Sequence, residues 1–127
     1  MDERTTVIII DGKAYDIVCS TRVTKALLEK YGSIEALAEK AKSIGTLSEN
    51  IEEILWLIEL FVNESITIHN IRHRESPLSL ITSEELEILT TPGEYPGFWN
   101  AVWTAIGLGM QRNVQSEEDP SKNSQVG

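Results

Sequence analysis

The sequence predicts a mainly α-helical domain of four to five helices with one β-hairpin at its amino terminus. The hairpin is predicted by Asp11-Gly12, which lies between β-prone runs at residues 5–10 and 14–19 and suits a two-residue type I′ turn. After this hairpin, apolar residues recur at spacings of three and four, which is the helical period. Because an isolated two-stranded ribbon is unstable in water, we expect the hairpin to pack on the helices.

Length and composition are those of one small domain followed by a polar segment. The chain has 127 residues, and we assign residues 1–113 to the helical domain. Residues 114–127 are acidic and contain almost nothing to bury, so we expect a disordered tail there. The single cysteine, Cys19, cannot form an internal disulfide and is expected to be a small core residue.

The charge of the chain argues against two classes of partner. Twenty acidic residues against 11 basic ones give a net charge of −9, which repels nucleic-acid backbones and anionic membranes. No apolar run reaches the roughly 18 residues of a membrane span. The start of the chain, Met1–Arg4, lacks the layout of a secretory signal. We therefore expect a cytoplasmic protein that binds neither nucleic acid nor membrane.

Two serines are predicted to cap the first two helices. Ser20 or Thr21 precedes the apolar positions of the first helix, and Gly32 provides its left-handed exit. Ser33 then caps a second helix, which should close before Gly45. Two short helices should thus meet at Gly32.

The third helix is predicted to be the longest. Residues 46–49 form a capping-box pattern, and the helix should run from about Ser48 to near Ile68 or Arg72. The Ser-Pro pair at 76–77 then predicts a loop. The main apolar stripe of this helix comprises Ile51, Ile54, Leu55, Ile58, Phe61 and Val62.

Two further helices are predicted in the last third of the domain. Residues 82–85 form a second capping box, which opens a short helix with Leu86 and Leu89 facing inward. The Pro-Gly pair at 92–93 ends that helix, and Pro96 fits the first turn of a final one. The apolar residues predicted to share one side of the final helix are Trp99, Val102, Trp103, Ile106 and Met110.

One pair of residues has the spacing of metal ligands. His69 and His73 are four apart and would share a helix face. No thiolate or general base accompanies them, and Arg72 and Arg74 would repel a cation. We interpret them as solvated histidines near a helix end, where an imidazolium suits the negative pole of the helix.

The sequence contains no pattern typical of catalysis. Adjacent carboxylates, as at 52–53 and 84–85, point about 100° apart on a helix and cannot share a substrate. No serine lies in a Gly-x-Ser-x-Gly elbow, and Gly107 and Gly109 belong to a helical pattern rather than to a phosphate-binding loop. We expect no enzymatic activity, no cofactor and no metal.

Apolar residues outside the main stripes are the candidates for a partner-binding surface. Trp56 and Leu60 project nearly opposite the main stripe of the third helix. Such a helix is either sandwiched inside the domain or presents one face to another protein. Phe98, Trp99 and Trp103 concentrate aromatic area in the final helix, as both cores and interface hot spots do.

The order of these segments resembles that of a known family. The segments concerned are residues 10–16 of the hairpin, 27–32 and 33–37 around Gly32, 54–57 of the long helix, 80–86, and the final helix. Up to about Arg112, the chain is similar to the tail assembly chaperones of long-tailed bacteriophages. The histidine- and arginine-rich stretch at 69–76 does not match that pattern.

The resemblance implies a mainly helical protein whose partners are the tape-measure protein and the tail tube protein. Such a chaperone keeps the tape-measure protein soluble while tube subunits assemble around it. A second copy of the chain is a further candidate partner. Many members are made in two lengths by ribosomal frameshifting, and Lys122-Asn123 permits a slippery codon run. The alternatives are a head–tail connector component and another small helical adaptor or regulatory protein.

Overall fold

The computed structural model describes residues 4–42 and 47–111, with backbone only for residues 47–49. It confirms a mainly helical fold with an amino-terminal antiparallel hairpin. The elements are β1 (Thr5–Ile10), β2 (Lys13–Val18), α1 (Thr21–Tyr31), α2 (Ile34–Ala41), α3 (Leu47–Arg72), α4 (Ser83–Leu89), a 3₁₀ turn (Pro92–Glu94) and α5 (Tyr95–Met110).

The predicted hairpin turn is confirmed, with a small correction to the second strand. Asp11 and Gly12 have φ angles of 53° and 80°, as a type I′ turn requires. A two-residue turn leaves Lys13 paired with Ile10, so β2 begins and ends one residue earlier than the predicted 14–19. Cys19 follows the strand and is buried, as expected. The inner face of the hairpin places Ile8, Ile10 and Ile17 in the core.

The serine caps of α1 and α2 are confirmed. The Ser20 hydroxyl accepts from the Val23 amide at 3.1 Å, and Ser33 accepts from Ala36 at 3.0 Å. Gly32 ends α1 at a φ of 89°. The side chains of the capping box predicted at 46–49 lie outside the described part of the structure, as do the exit at Gly45 and the tail at 114–127. The backbone places the start of α3 at Leu47, one residue before the predicted Ser48.

The long helix α3 is sandwiched between other elements. This is the first of the two interpretations given above for a helix with apolar residues on two faces. It packs against β2, α5, α4 and α1, and it ends at Arg72. Its buried apolar residues are Ile54, Leu55, Leu57, Ile58, Phe61, Val62 and Ile66. They line more than one side of the helix and form the centre of the core.

The predicted inward face of α4 was partly wrong, and the apolar side predicted for α5 is buried only in part. Thr82 and Glu85 form the predicted capping box, and Leu86 is buried, but Leu89 is 39% exposed. In α5, Trp103 and Met110 are exposed, whereas the buried residues are Tyr95, Phe98, Val102, Ala105 and Ile106.

The physical reason in α5 is the close approach of Gly109 to the hairpin, which fixes the side of the helix that packs inward. A Cβ added at Gly109 would lie 2.7 Å from the Cys19 carbonyl oxygen, so this side of the helix meets the chain just after β2. The side that holds Gly109, with the buried Phe98 and Val102, therefore faces the hairpin and the core, and Trp103 lies about 100° or more around the helix from Gly109.

Candidate protein-binding surface

Two tryptophans stack beside the side of α5 that packs on the core. The rings of Trp99 and Trp103 have centroids 5.8 Å apart and planes 20° apart. Trp99 is half-buried and packs against the core, as Trp56 and Leu60 do, whereas Trp103 is 38% exposed. Met110 continues the side of the helix that bears Trp103 and is 46% exposed. We call Trp99, Trp103 and Met110 the tryptophan face.

The helix that bears the tryptophan face contains no charged residue between Tyr95 and Met110. Every other helix in the described part of the chain contains charged residues. Charged residues make up 24% of the chain. The exposed apolar surface of such a helix has an unfavourable free energy in water. An uncharged helix with a partly exposed aromatic stack is therefore typical of a surface that another protein covers.

Phe98 was a candidate for the same surface but belongs to the core. It is 5% exposed and lies 6.4 Å from Tyr95, measured between ring centroids. The residue sits about 100° around the helix from Trp99, which directs its ring toward the centre of the domain. The aromatic residues of this helix thus divide between packing and exposure.

Trp56 and Leu60 are half-buried on α3 and pack against the edge of the core. The Trp56 ring meets the edge of the Tyr31 ring at 6.2 Å, and the Lys30 ammonium lies 4.6 Å from its centroid. A cavity of about 220 Å³ adjoins Trp56. The indole therefore has partners within its own chain, and it fastens α1 to α3.

Tyr31 reinforces this contact through its hydroxyl. The phenol donates a hydrogen bond to the Glu53 carboxylate. Burial raises the pKa of Tyr31 well above its ordinary value, and the hydrogen bond from the neutral phenol to Glu53 raises it further. Tyr31 therefore remains a neutral donor at physiological pH, and the contact between α1 and α3 is independent of pH there.

Two asparagines on α3, which the sequence did not single out, hold the loop before α4. Asn63 accepts from the Ile81 amide and donates to the Ile81 carbonyl, both at 2.8 Å. Asn70 makes the same pair of bonds to Leu78, at 2.8 and 3.0 Å. The Ser83 hydroxyl donates to Glu59 at 2.7 Å. Glu59, Asn63 and Asn70 are spaced at i, i+4 and i+11, which places their side chains on one face of α3. This spacing is the sequence pattern from which the contacts could have been predicted.

Glu64 is a buried carboxylate with a structural role. It is 8% exposed, and it accepts from the Ser20 hydroxyl at 2.7 Å and from the Arg22 Nε at 2.9 Å. A buried carboxylate needs such partners, because an unpaired charge in the interior is strongly unfavourable. The side chain ties the start of α1 to the middle of α3.

His69 and His73 lie at the end of α3, with ring centroids 4.7 Å apart. The His69 Nε2 is 3.1 Å from the Ser76 carbonyl oxygen, so this nitrogen donates and fixes one tautomer. Within residues 4–42 and 47–111, no group of three or more histidine, cysteine or acidic residues is arranged to hold a metal ion. The two rings line a cavity of about 440 Å³ between β2 and α3.

Comparisons with protein-family models, with curated proteins and with solved structures found no significant match to this chain. Among the described helices, none is both long enough and apolar enough to cross a bilayer.

Proposed function

We propose that this protein is a phage tail assembly chaperone that binds the tape-measure protein and helps to recruit tail tube subunits. The observation that carries the proposal is the uncharged helix α5 with its partly exposed tryptophan stack, in a chain of net charge −9. The combination supplies an apolar contact surface on a highly soluble carrier.

The tryptophan face suits an amphipathic helix as its ligand. Trp99 and Met110 are 11 residues apart, which corresponds to about 16 Å along the helix axis, or three turns. A partner helix laid along this face would bury apolar residues spaced three and four apart. A tape-measure protein that is not yet enclosed by the tail tube exposes such stripes along its length.

The acidic character of the remaining chain fits the same role. A net charge of −9 makes neighbouring complexes repel one another, so several chaperones can coat one long chain without aggregation. In this proposal the protein acts in the cytoplasm of the bacterial host, without an enzymatic activity, cofactor, metal or nucleic acid.

Coexpression with the tape-measure protein encoded in the same genome tests the proposal. We expect the wild-type chain to keep the tape-measure protein in the soluble fraction and to copurify with it. Trp103→Ala should reduce the soluble amount at least about tenfold, as expected for a central aromatic contact. Ile88→Ala is the matched control, because Ile88 is 73% exposed on α4 and lies outside the tryptophan face.

The assembly state of the pure protein separates the chaperone from a head–tail connector. A connector forms a stable ring through large permanent interfaces, whereas a chaperone must be released. We expect mass photometry to show no closed ring, and purified tails to lack the protein. A stable ring, or equal solubilisation by wild type and Trp103→Ala, would contradict the proposed function.

A further inference from the structure

A groove lies between β2 and the carboxyl-terminal half of α3. Its volume is about 440 Å³, and five of the six residues of β2 line it. Consecutive side chains of a strand point to opposite faces. Lining by consecutive residues therefore means that the groove runs along the edge of the strand rather than along one face of the hairpin.

The backbone groups along the edge of β2 that faces the groove make no hydrogen bond to another described segment. Ile10 pairs with Lys13 across the two-residue turn, so hydrogen-bonded pairs alternate from there along the ladder. In this alternation the N–H and C=O groups of Ala14, Asp16 and Val18 point away from β1. No backbone hydrogen bond joins these three residues to another described segment, and all three line the groove.

The wall opposite this edge is basic. His69, Arg72 and His73 line the groove from α3, and Lys13 lines it from the strand. Neither Lys13 nor Arg72 forms an ion pair with any described carboxylate. Asp16 is the acidic residue among those that line the groove. The groove is thus locally cationic in a protein whose net charge is −9.

We propose that the acidic segment after α5 of the same chain docks in this groove as a third, antiparallel strand. Residues 112–116 would pair with the free edge of β2. Glu117, Glu118 and Asp119 would then reach Lys13 and Arg72. Backbone pairing supplies the register, and charge complementarity supplies the preference for this segment.

The position at which α5 ends supports docking within one molecule. Gly109 lies against Cys19, the residue directly after β2, so the chain leaves α5 at the Val18 end of the groove. Six extended residues from Gln111 to Glu117 span about 20 Å. The six steps from Cys19 back to Lys13 span about the same distance. The acidic residues 117–119 would therefore lie at the Lys13 end of the groove.

The direction of α3 places the basic residues at that same end. Ser20 donates to Glu64, which fixes Glu64 near the Val18 end of β2. Arg72 is eight residues further along α3, about 12 Å along the helix axis, and it lines the same groove as Lys13. Lys13 also lies over the Tyr15 ring, 5.4 Å from its centroid, and this contact holds the ammonium beside the groove. Three carboxylates would thus meet two histidines and two cations, Lys13 and Arg72, that form no ion pair with a described carboxylate.

A spin label tests occupancy of the groove directly. A nitroxide attached at Ser121→Cys should broaden the amide resonances of Lys13 through Val18 in the full-length chain, with buried Cys19 kept unlabelled. No broadening of these resonances would overturn the proposal. Broadening of isotope-labelled, spin-free chains by added spin-labelled chains would show that a second copy is the occupant, which overturns docking within one molecule.

Hydrogen exchange tests the charge pairing and the strand geometry. We expect the amides of Ala14, Asp16 and Val18 to exchange about tenfold faster in the full-length variant E117Q/E118Q/D119N than in the wild type. Arg72→Glu should have the same effect. Arg74→Glu is the matched control, since Arg74 makes the same charge change without lining the groove. Equal exchange rates in wild type and Arg72→Glu, or equal effects of the Arg72 and Arg74 variants, would refute the proposal.

These measurements do not depend on the tape-measure protein. The groove variants leave the tryptophan face intact, and Trp103→Ala leaves the groove intact. Failure of strand docking and failure of the proposed function are therefore distinguishable.

Discussion

The helices α3 and α5 both carry apolar residues around much of their circumference, but the structure buries those of α3 more completely than those of α5. α3 uses nearly every side within the molecule: apolar residues fill the core, Asn63 and Asn70 bind the loop before α4, and Glu64 binds α1. α5 uses one side and leaves Trp103 and Met110 exposed.

The difference arises from the number of neighbours. α3 packs against elements on several sides, whereas α5 meets mainly the hairpin and α3. A broad apolar stripe is fully buried only when neighbours surround it, and otherwise it leaves an exposed margin. The exposed margin of α5 is therefore the stronger candidate for a partner, and Trp56 on α3 is the weaker one.

The largest effect that this comparison predicts is at the centre of α3. Phe61 is fully buried, and Phe61→Ala should lower the free energy of unfolding by about 3–5 kcal/mol. Urea unfolding followed by circular dichroism measures this loss, with Ile88→Ala as an exposed control. A loss below about 1 kcal/mol would mean that α3 is not the centre of the core.

Two glycines of α5 should respond in opposite directions. Gly109→Ala should cost about 1–3 kcal/mol, because the new methyl group would meet the Cys19 backbone oxygen at 2.7 Å. Gly107→Ala meets nothing within 4 Å and should gain about 0.5–1 kcal/mol from helix propensity. Thermal unfolding of both variants gives the comparison, and a shift of the same sign would contradict the packing side assigned to α5.

The two asparagine contacts on α3 should contribute unequally to the stability of the fold. Asn63→Ala removes both bonds to the partly buried Ile81 backbone and should cost about 1–3 kcal/mol. Asn70→Ala removes an equivalent pair at an exposed site and should cost less, because water replaces the lost bonds. Denaturant midpoints measure both changes. A larger loss at Asn70 would mean that the loop is held mainly at its solvent end.

The tryptophan face should contribute less to stability than the core does. Trp103→Ala should cost about 1–2 kcal/mol, less than Phe61→Ala, because Trp103 is 38% exposed and lies outside the core cluster. The same substitution should remove the near-ultraviolet circular dichroism that arises from its stacking on Trp99. A loss near that of Phe61→Ala would show that Trp103 is a core residue, which would remove the main support for the proposed binding surface.

Much of the candidate site could be predicted from the sequence, but its division into core and surface could not. Trp99 and Trp103 were identified from their clustering in the final helix, and both lie on the tryptophan face. Phe98 was assigned to the same surface and is buried. Periodicity locates the apolar stripe of a helix, but the sector that faces the core depends on which neighbours approach it.

The sequence by itself determined the local features of this protein. The Asp11-Gly12 turn, the caps at Ser20 and Ser33 and the exit at Gly32 follow from backbone preferences and from hydrogen bonds between residues close in sequence. Such interactions span two to four residues, so a short stretch of sequence specifies them.

Only the tertiary structure decided which polar and aromatic residues became partners. Ser20 and Glu64 are 44 residues apart, and Asn63 binds a loop 18 residues away. The meeting of β2 with the end of α3, which creates the basic groove, is of the same kind. These contacts form because the packing of whole elements brings distant residues together, and no local pattern in the sequence encodes that packing.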